Sequence, residues 1–336
     1  MEAESVGVVG FDEDGKVNST AKTIPADGPS VDGLVLKPAV HQVAGHGQYD
    51  GRPGPLVDES GRTFFKPLKE GDYRADREID FYGKIHQDET VPSSVKKFFP
   101  SFYGTKNLPS VDGKGVIFVL IWFLYEFSVL CSLTNTERHG AMENLTYGFK
   151  HPSVVDIKIG YSNGYPEASE AYNKKCIVKD QKTTSGAIGF RISGMQIYDV
   201  SIGMTWRSER KLLKSMSVDM IRPCMERYVS SNPFSDNPDA AFAASVYGGP
   251  HGVLAQLRVL EEWFKTQTSY SFKSTSVLII YQSGDIEAEG EGKRKVAVKL
   301  VDFAHTLDGK GIDENFLGGL QSFMGIISSI VEDTTS

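Results

Sequence analysis

Residues 152–160 read PSVVDIKIG, and this stretch is the starting point for predicting the fold and the chemistry of the chain. β-branched residues alternate with charged ones and the run ends in glycine, which predicts a strand. Because side chains alternate along a strand, Asp156 and Lys158 lie on one face. A carboxylate beside a cation suits phosphoryl transfer, which needs a group near the attacking hydroxyl and positive charge around the moving phosphate. A surface strand with alternating charges has the same pattern, so the stretch alone leaves both interpretations open.

Two further charged residues lie on apolar strands far from this stretch. Lys66 is the only charge in FFKPL (residues 64–68), and Asp302 interrupts LVDFAH (residues 300–305). A buried lysine needs an anionic partner such as nucleotide phosphates, and an aspartate that closes an apolar strand is a candidate Mg²⁺ ligand. An exposed edge strand would equally explain Lys66, and a capping role at the next turn would explain Asp302.

Hydrophobic periodicity indicates an α+β protein. Early strands accompany a single helix over residues 74–86, and helices mixed with strands follow. Residues 252–267 and 314–331 predict two more helices, and residues 276–282 and 296–303 predict a hairpin. This order of elements favours two lobes with a cleft between them.

Composition narrows the class of protein. The 336 residues carry a net charge of −7, which argues against non-specific nucleic-acid binding. The three cysteines, Cys131, Cys176 and Cys224, form no CxxC pair, so neither a metal-ligand spacing nor a disulfide framework is present and a reducing compartment is expected. The acidic start MEAESVGVVGFDEDGK lacks the basic and apolar regions of a signal peptide.

One segment does not fit this pattern. Residues 116–133, VIFVLIWFLYEFSVLCSL, are almost wholly apolar and reach the length of a membrane span. Glu126 at its centre would be unfavourable in lipid. A buried hydrophobic helix and an inserted segment that is not native to the fold are the alternatives to a span.

Taken together, these elements resemble the inositol polyphosphate kinase family, and within it the plant multikinases. The family signature P-x-x-x-D-x-K-x-G is present at Pro152, Asp156, Lys158 and Gly160. Three later segments also match in order and spacing: GFRISG (189–194), STSVLIIY (274–281, departing from the family at Val277) and VDFAHT (301–306). The resemblance extends from about residue 34 to residue 331.

The resemblance implies a two-lobed, protein-kinase-like fold with ATP in a cleft between the lobes. A disordered tail (1–30) would precede an N-lobe (31–146) and a C-lobe (147–334), whose helical segment at about 162–182 binds the inositol phosphate. The implied activity is ATP- and Mg²⁺-dependent phosphorylation of inositol tris- and tetrakisphosphate towards pentakisphosphate. A monomer without a membrane span or direct nucleic-acid binding, present in nucleus and cytoplasm, is expected.

The resemblance also implies roles for individual residues. Asp156 lies near the attacking hydroxyl, and Lys158 stabilises the transferred phosphoryl group and contacts the substrate. On the nucleotide side, Asp302 holds Mg²⁺ beside ATP. The remaining implied contacts are Lys66 to the ATP phosphates, the backbone groups of Glu143 and Leu145 to the adenine edge, and Lys174, Lys175 and His305 to the substrate's phosphates. The lysines belong to a basic run that also contains Lys179 and Lys182 and that is also typical of a solvated helix face.

One departure from the family leaves a second hypothesis open. The apolar run lies just upstream of the hinge, where residues 115–138 look like an insertion within the small lobe. A span there would separate a strand from the hinge that packs on the same core, so an inserted or mis-spliced segment is favoured. The chain could then be a catalytically disabled relative that acts as a binding scaffold. A protein kinase, the third alternative, is disfavoured because H-R-D-x-x-x-x-N and D-F-G are absent from the sequence.

Overall fold

Two β-sheets, each accompanied by helices, flank a cleft in the computed structural model of the chain. The structure describes residues 5–11, 17–23, 30–31, 34–43, 54–69, 71–109, 136–283 and 294–335. Strands and helices alternate irregularly along the chain, and the two sheets form separate lobes. The predicted two-lobed α+β fold is confirmed.

The small lobe is built on a six-stranded antiparallel sheet with the strand order β3-β4-β5-β6-β8-β7. The strands are β3 (Ser30–Val31), β4 (Leu34–Pro38), β5 (Leu56–Asp58), β6 (Thr63–Pro67), β7 (Phe102–Pro109) and β8 (Thr136–Glu143). Strand β6 confirms the strand predicted around Lys66. A small apolar core, Leu36, Leu56, Phe65, Leu108 and Ala141, holds this sheet together.

Helix α1 (Tyr73–Ile85) connects the small lobe to the core of the large lobe. The Asp72 side chain accepts a hydrogen bond from a backbone N–H of the first turn and caps the helix. Its buried residues recur at helical spacing: Glu78, Phe81, Tyr82 and Ile85. Phe81 stacks on Phe303 of the large lobe with ring centroids 4.3 Å apart. Helix α1 is therefore fixed against the large lobe, as is α2 (Ser93–Lys96), whose Val95 joins the same core.

The large lobe has a seven-stranded sheet with the order β14-β13-β9-β10-β11-β1-β2. Its strands are β1 (Ser5–Phe11), β2 (Val17–Thr23), β9 (Pro152–Ile159), β10 (Phe190–Asp199), β11 (Met204–Ser208), β13 (Ser276–Gln282) and β14 (Val296–Val301). Short strands β12 (Tyr270–Phe272) and β15 (Thr306–Asp308) form a separate pair. Strands β13 and β14 pair antiparallel, which confirms the predicted hairpin.

Seven helices of the described chain pack around this sheet. They are α3 (Glu170–Lys182), α4 (Ser185–Ile188), α5 (Arg210–Lys214), α6 (Ile221–Tyr228), α7 (Ala243–Val246), α8 (Val253–Phe264) and α9 (Glu314–Thr335). Helices α8 and α9 confirm the predictions for residues 252–267 and 314–331. Their apolar faces meet through the stacked rings of Phe264 and Phe316, 4.3 Å apart, and this packing supports the sheet from behind the cleft.

The structure differs from the sequence prediction at the N-terminus. Residues 1–30 were expected to be a disordered tail, yet 5–11 and 17–23 form β1 and β2. Strand β1 pairs in parallel with β11 and antiparallel with β2, so both extend the large lobe's sheet. The run SVGVVGF is rich in valine, which favours strands, and β11 offers it an edge to pair with.

The C-terminal boundary of the predicted insertion at residues 115–138 also needs correction. Residues 110–135 lie outside the described part of the chain, but Thr136 to Arg138 are the first residues of β8. Glu137 pairs with Leu108, and the carbonyl of Arg138 accepts a hydrogen bond from Leu68 N–H at 2.8 Å. These three residues belong to the sheet because their backbone groups complete its ladder.

The membrane-span hypothesis concerned residues 116–133, which lie outside the described residues. Within the described ranges, no helix is long and apolar enough to cross a membrane.

Candidate active site

The cleft between the lobes has a volume of about 450 Å³, which is the size of a small-molecule site. Both lobes supply its apolar walls: Val57, Phe64 and Met142 from the small lobe, and Val154, Leu278 and Val301 from the large lobe. Such a slot suits a flat, apolar ring system. Lys66, Asp156 and Asp302 also line the cleft, so the same cavity carries charge.

Strand β9 carries the first two predicted site residues. It is flanked by β13 on one side and β10 on the other, and its residues are almost all buried, as expected for a β-branched strand in the middle of a sheet. Asp156 is only 4% exposed and lines the cleft with Val154 on the same face. Lys158, two residues further along this face, is also close to Asp302. The predicted placement of the Asp156–Lys158 pair on one face is confirmed.

Gly160 ends β9 with a backbone conformation that explains the glycine of the signature. Its φ is +117°, a backbone conformation that residues other than glycine rarely adopt. A Cβ at this position would lie 2.5 Å from the Asn315 side chain. Asn315 in turn accepts a hydrogen bond from Ser162 N–H at 2.8 Å and fixes the chain as it leaves the strand. Gly160 thus lets β9 turn next to helix α9.

Asp302 joins the two lobes at the charged part of the cleft. One carboxylate oxygen accepts from Lys66 Nζ at 3.1 Å, and the other accepts from Lys158 Nζ at 3.0 Å. Its φ is +68°, which aspartate tolerates better than most residues. The Thr275 hydroxyl donates to the Asp302 carbonyl at 3.1 Å and helps to hold this conformation. The three residues Lys66, Lys158 and Asp302, distant in sequence, therefore form one ion-paired group.

Glu78 of helix α1 is a site residue that the sequence did not identify. Its two carboxylate oxygens lie 2.8 and 3.0 Å from Lys66 Nζ. Glu78 is only 4% exposed, whereas the Lys66 side chain is 32% exposed, so the carboxylate of this charge-assisted pair is buried and the ammonium group is partly accessible. The sequence does contain a sign of this role, because Glu78 lies three residues before Phe81 and therefore on the apolar face of an amphipathic helix. Glu78 holds the Lys66 ammonium group in the cleft.

The charges in this group shift its pKa values in opposite directions. Desolvation alone would raise the pKa of Asp302, but the ammonium groups of Lys158 and Lys66 outweigh it and hold that pKa well below its usual range. Burial would lower the pKa of Lys66, but Glu78 and Asp302 raise it. Burial raises the pKa of Asp156 to about 6, and Lys158 offsets this only in part. Asp302 is thus an anion at neutral pH. Asp156, in contrast, has a pKa only slightly below neutral pH.

The carboxylates fit a divalent cation that is shared with phosphates. Among the described residues, no group of three or more His, Cys, Asp or Glu side chains is arranged as a protein-only metal site. Mg²⁺ commonly uses only one or two carboxylates and takes further ligands from nucleotide phosphates and water. Asp302 provides one carboxylate, and Asp156 Oδ1 is a buried oxygen without a hydrogen-bond partner within the described structure. These residues can hold such an ion in the presence of a nucleotide.

The predicted hinge, residues 143–145, lies where β8 leaves the small lobe, and it lines the cleft with Thr146. Asn144 fixes its shape, because its N–H donates to the Arg62 carbonyl at 2.8 Å and its side-chain amide donates to the Gly61 carbonyl at 2.6 Å. Glu143 and Leu145 therefore stand at the apolar slot, as predicted. Their contact with an adenine edge stays a prediction.

His305 lies beside the ion-paired group with both ring nitrogens engaged by tyrosines. Nδ1 is 3.0 Å from the Tyr165 hydroxyl, and Nε2 is 3.3 Å from the Tyr172 hydroxyl. Partial burial, reinforced by the positive charges of Arg74, Lys158 and Arg77, lowers the pKa of His305 to about 4. The imidazole is therefore neutral at physiological pH. Its predicted contact with substrate phosphates, if made, is a hydrogen bond and not an ion pair.

Helix α3 carries the basic run, and its lysines differ in their surroundings. Lys174 is 72% exposed and forms an ion pair with Glu170 at 2.6 Å, and Lys175 is also exposed. Lys179 is exposed as a residue, yet loss of hydration and the charges of Arg191 and Lys158 lower the pKa of its ammonium group to about 8. Lys179 thus shares the electrostatic surroundings of Lys158. The predicted substrate contacts of Lys174 and Lys175 stay predictions.

Comparisons with known proteins agree with this geometry. The inositol polyphosphate kinase family profile matches residues 139–328. Inositol polyphosphate multikinase alpha of Arabidopsis thaliana is 44% identical over 303 residues, which is 89% of this chain and 97% of the relative. Inositol polyphosphate multikinase IPK2 of Oryza sativa subsp. japonica is 41% identical, with 89% and 96% of the two chains covered.

Solved structures are similar as well. A structure of an inositol phosphate multikinase superposes with a TM-score of 0.59 at 39% identity, covering 75% of this chain and 99% of the other. The multikinase Ipk2 of S. cerevisiae, solved with ADP and Mn²⁺, gives a TM-score of 0.57 at 22% identity, covering 81% of this chain and 100% of that one. At this lower identity the likeness concerns the fold alone.

Proposed function

Because the chain belongs to the inositol polyphosphate kinase family, we propose that it transfers the γ-phosphate of ATP to hydroxyl groups of an inositol polyphosphate. The observation that carries this proposal is that Lys66, Asp156 and Asp302 line one cleft, which also has a hinge and apolar walls, and that Lys158 is ion-paired with Asp302. The base of a nucleotide would pack between the apolar walls, and the phosphates of the nucleotide would lie at the charged residues.

Each charged residue then has a distinct task. The hydroxyl that attacks must lose its proton, and Asp156, with an unpartnered buried oxygen, is the residue to accept it. Lys158 and Lys66 provide positive charge where negative charge spreads over the transferred phosphoryl group. Glu78 keeps Lys66 oriented. Mg²⁺ held by Asp302 and the ATP phosphates would neutralise phosphate charge.

An inositol polyphosphate is small and densely anionic, so its pocket needs several cations although the chain as a whole is acidic. Lys158, which is paired with Asp302, and Lys179, on which the charge of Lys158 acts, are the proposed cations of the large lobe. Lys174, Lys175 and His305 are further candidates. We propose inositol tris- and tetrakisphosphate as substrates, with pentakisphosphate as product. The nucleus and cytoplasm are the proposed compartments, and a monomer is the proposed state.

The direct test is ATP-dependent phosphorylation of inositol 1,4,5-trisphosphate by the purified full chain. A second protein should lack residues 115–133 but keep Thr136–Arg138, because these belong to β8. Activity of both proteins supports the proposed function. Activity of the shortened protein alone would show that the full chain is a disabled relative, and inactivity of both would refute the proposal.

The pH profile should report the carboxyl of Asp156. Its raised pKa of about 6 means that it is protonated, and unable to accept a proton, below that pH. We expect kcat/KM for the inositol phosphate to rise about tenfold per pH unit below pH 6 and to level above it. The charged groups acting on this carboxyl are Lys158, Asp302 and Arg191.

The measurement is a series of initial rates from pH 5 to 8 at saturating Mg²⁺ and ATP. A His305→Gln variant should keep this acidic limb, because the imidazole with its pKa of about 4 stays neutral over the range. A profile that is flat down to pH 5 in the unmodified protein would contradict the role given to Asp156.

Neutralising Lys179 should weaken substrate binding more than neutralising Lys174. Lys179→Met removes a cation that acts on Lys158, whereas Lys174→Met removes one that is already paired with Glu170. We expect KM for inositol 1,4,5-trisphosphate to rise about tenfold in the first variant and clearly less in the second. Steady-state kinetics at fixed ATP measure both, and an equal effect of the two substitutions would contradict this assignment.

A further inference from the structure

A second ion pair joins the lobes at the hinge. Lys299 Nζ lies 3.3 and 3.2 Å from the two carboxylate oxygens of Glu143. Lys299 belongs to β14 of the large lobe, and Glu143 is the last residue of β8 in the small lobe. The side chains are 17% and 35% exposed, so the contact is largely shielded from solvent.

Backbone hydrogen bonds tie the same junction. One oxygen of the Glu143 carboxylate also accepts from Ser101 N–H at 3.2 Å, while Glu143 N–H donates to the Ser101 carbonyl at 2.8 Å. On the other side, Leu300 N–H donates to the Phe98 carbonyl at 2.7 Å. The Glu143 carboxylate thus links the hinge to two other elements: the segment that follows α2, and strand β14.

The position of Lys299 on β14 links this junction to the chemistry. Alternation along the strand places Lys299 and Val301 on one face, and Val301 lines the cleft. Asp302 follows directly. A shift of β14 relative to the hinge would therefore change the span between the hinge backbone and Asp302, which a bound nucleotide must bridge.

The pair also governs the charge of the cleft. Glu143 lines the cavity at the hinge, so an unneutralised carboxylate there would add negative charge beside a bound anionic nucleotide. Lys299 engages both carboxylate oxygens and neutralises them. The residue itself is not among those that line the cavity, so it acts through Glu143.

We propose that Lys299 is a positioning residue for the nucleotide: through Glu143 it fixes the hinge against β14 and keeps a carboxylate charge away from ATP. This inference rests on the proposed function, because it takes the nucleotide to be ATP. Its expected effect is confined to one substrate. Nucleotide binding depends on Lys299, whereas binding of the second substrate and the phosphoryl-transfer step depend on it far less.

The test compares Lys299→Met, Lys299→Arg and, as a matched control, Lys265→Met, which removes two ion pairs at the C-terminal end of helix α8. We expect Lys299→Met to raise KM for ATP about tenfold, with KM for the inositol phosphate and kcat changed less than about twofold. Lys299→Arg keeps the charge and should restore KM for ATP, and Lys265→Met should leave it unchanged.

A double-substitution cycle makes the mechanism testable. If Lys299 acts through Glu143, adding Glu143→Gln to Lys299→Met should raise KM for ATP no further. Additive effects would overturn the proposal, and so would a lowered melting temperature of Lys299→Met with unchanged KM for ATP, because that result describes a purely structural contact.

ADP binding measured by calorimetry separates this inference from the proposed function. If the unmodified chain binds ADP and Lys299→Met binds it about tenfold more weakly, the inference holds even if inositol phosphates are not phosphorylated. If inositol phosphate is phosphorylated but ADP affinity is equal in both proteins, only the inference fails. Absence of ADP binding to the unmodified chain would overturn both.

Discussion

Replacing Asp302 with asparagine should lower kcat by about a thousandfold or more, because the carboxylate pairs with both lysines to which we assign contacts with the transferred phosphoryl group. Its two oxygens accept hydrogen bonds from Lys66 and Lys158, and the proposed binding of a divalent ion would also depend on the charge of this carboxylate. Asparagine keeps the shape of the side chain, and it tolerates the φ of +68° at this position as aspartate does. The loss should therefore reflect charge and not misfolding.

The control for Asp302→Asn is Asp308→Asn, which neutralises an exposed carboxylate at the end of β15. Phosphorylation rates across a series of Mg²⁺ concentrations should show no saturation in Asp302→Asn within the range that saturates the unmodified protein. Circular dichroism should give matching spectra for all three proteins. Normal Mg²⁺-dependent turnover by Asp302→Asn would refute the metal assignment.

Local sequence patterns marked four of the charged residues as candidates but missed Glu78. Asp156 and Lys158 follow from strand alternation, and Lys66 and Asp302 follow because each is a lone charge in an apolar run. Their contact could not be derived in this way, since 236 positions separate Lys66 from Asp302. Only the packing of the two lobes brings them together, and the family resemblance supplied what local pattern could not.

Helix α3 shows a different limit. A helix buries one face, and the phase of that face decides which lysines lie near the charged groups of the large lobe. In α3 only Cys176 and Asp180 are buried, and one of these is charged, so the hydrophobic pattern that normally reveals the phase is missing. The sequence therefore indicated a basic run but could not show that Lys179 lies close enough to Arg191 and Lys158 for their charges to lower its pKa.

The fold prediction was wrong for two strands whose pairing partners are distant in the sequence. Strand β1 joins β11 across almost 200 positions, for example through Val6 and Thr205, so its local sequence of Gly, Ser and Asp neighbours resembled a tail. Similarly, the start of β8 is fixed by its pairing with β7, and the apolar run beside it obscured that boundary. In both cases long-range backbone hydrogen bonds outweighed local composition.

Asp156→Asn should reduce kcat by about 10² to 10⁴-fold while leaving ATP binding intact. The amide cannot accept the proton of the attacking hydroxyl, but it has nearly the same shape as the carboxyl group. Burial already raises the pKa of Asp156 to about 6, so the site accommodates the neutral form readily. The variant should therefore melt no earlier than the unmodified protein, and ATP with Mg²⁺ should stabilise both equally in a thermal shift.

Two measurements on Asp156→Asn together identify the role of the residue: the size of the loss in kcat and the pH dependence of the activity that remains. If Asp156 is the base, the residual activity of Asp156→Asn should no longer fall below pH 6, because the group that titrates there has been removed. If Asp156 instead serves mainly as a second ligand to the metal, the acidic limb should disappear together with ATP·Mg²⁺ stabilisation, since both would depend on the same carboxylate. Loss of turnover with nucleotide stabilisation retained therefore assigns the proton transfer to Asp156, and loss of both transfers its role to the metal site built around Asp302.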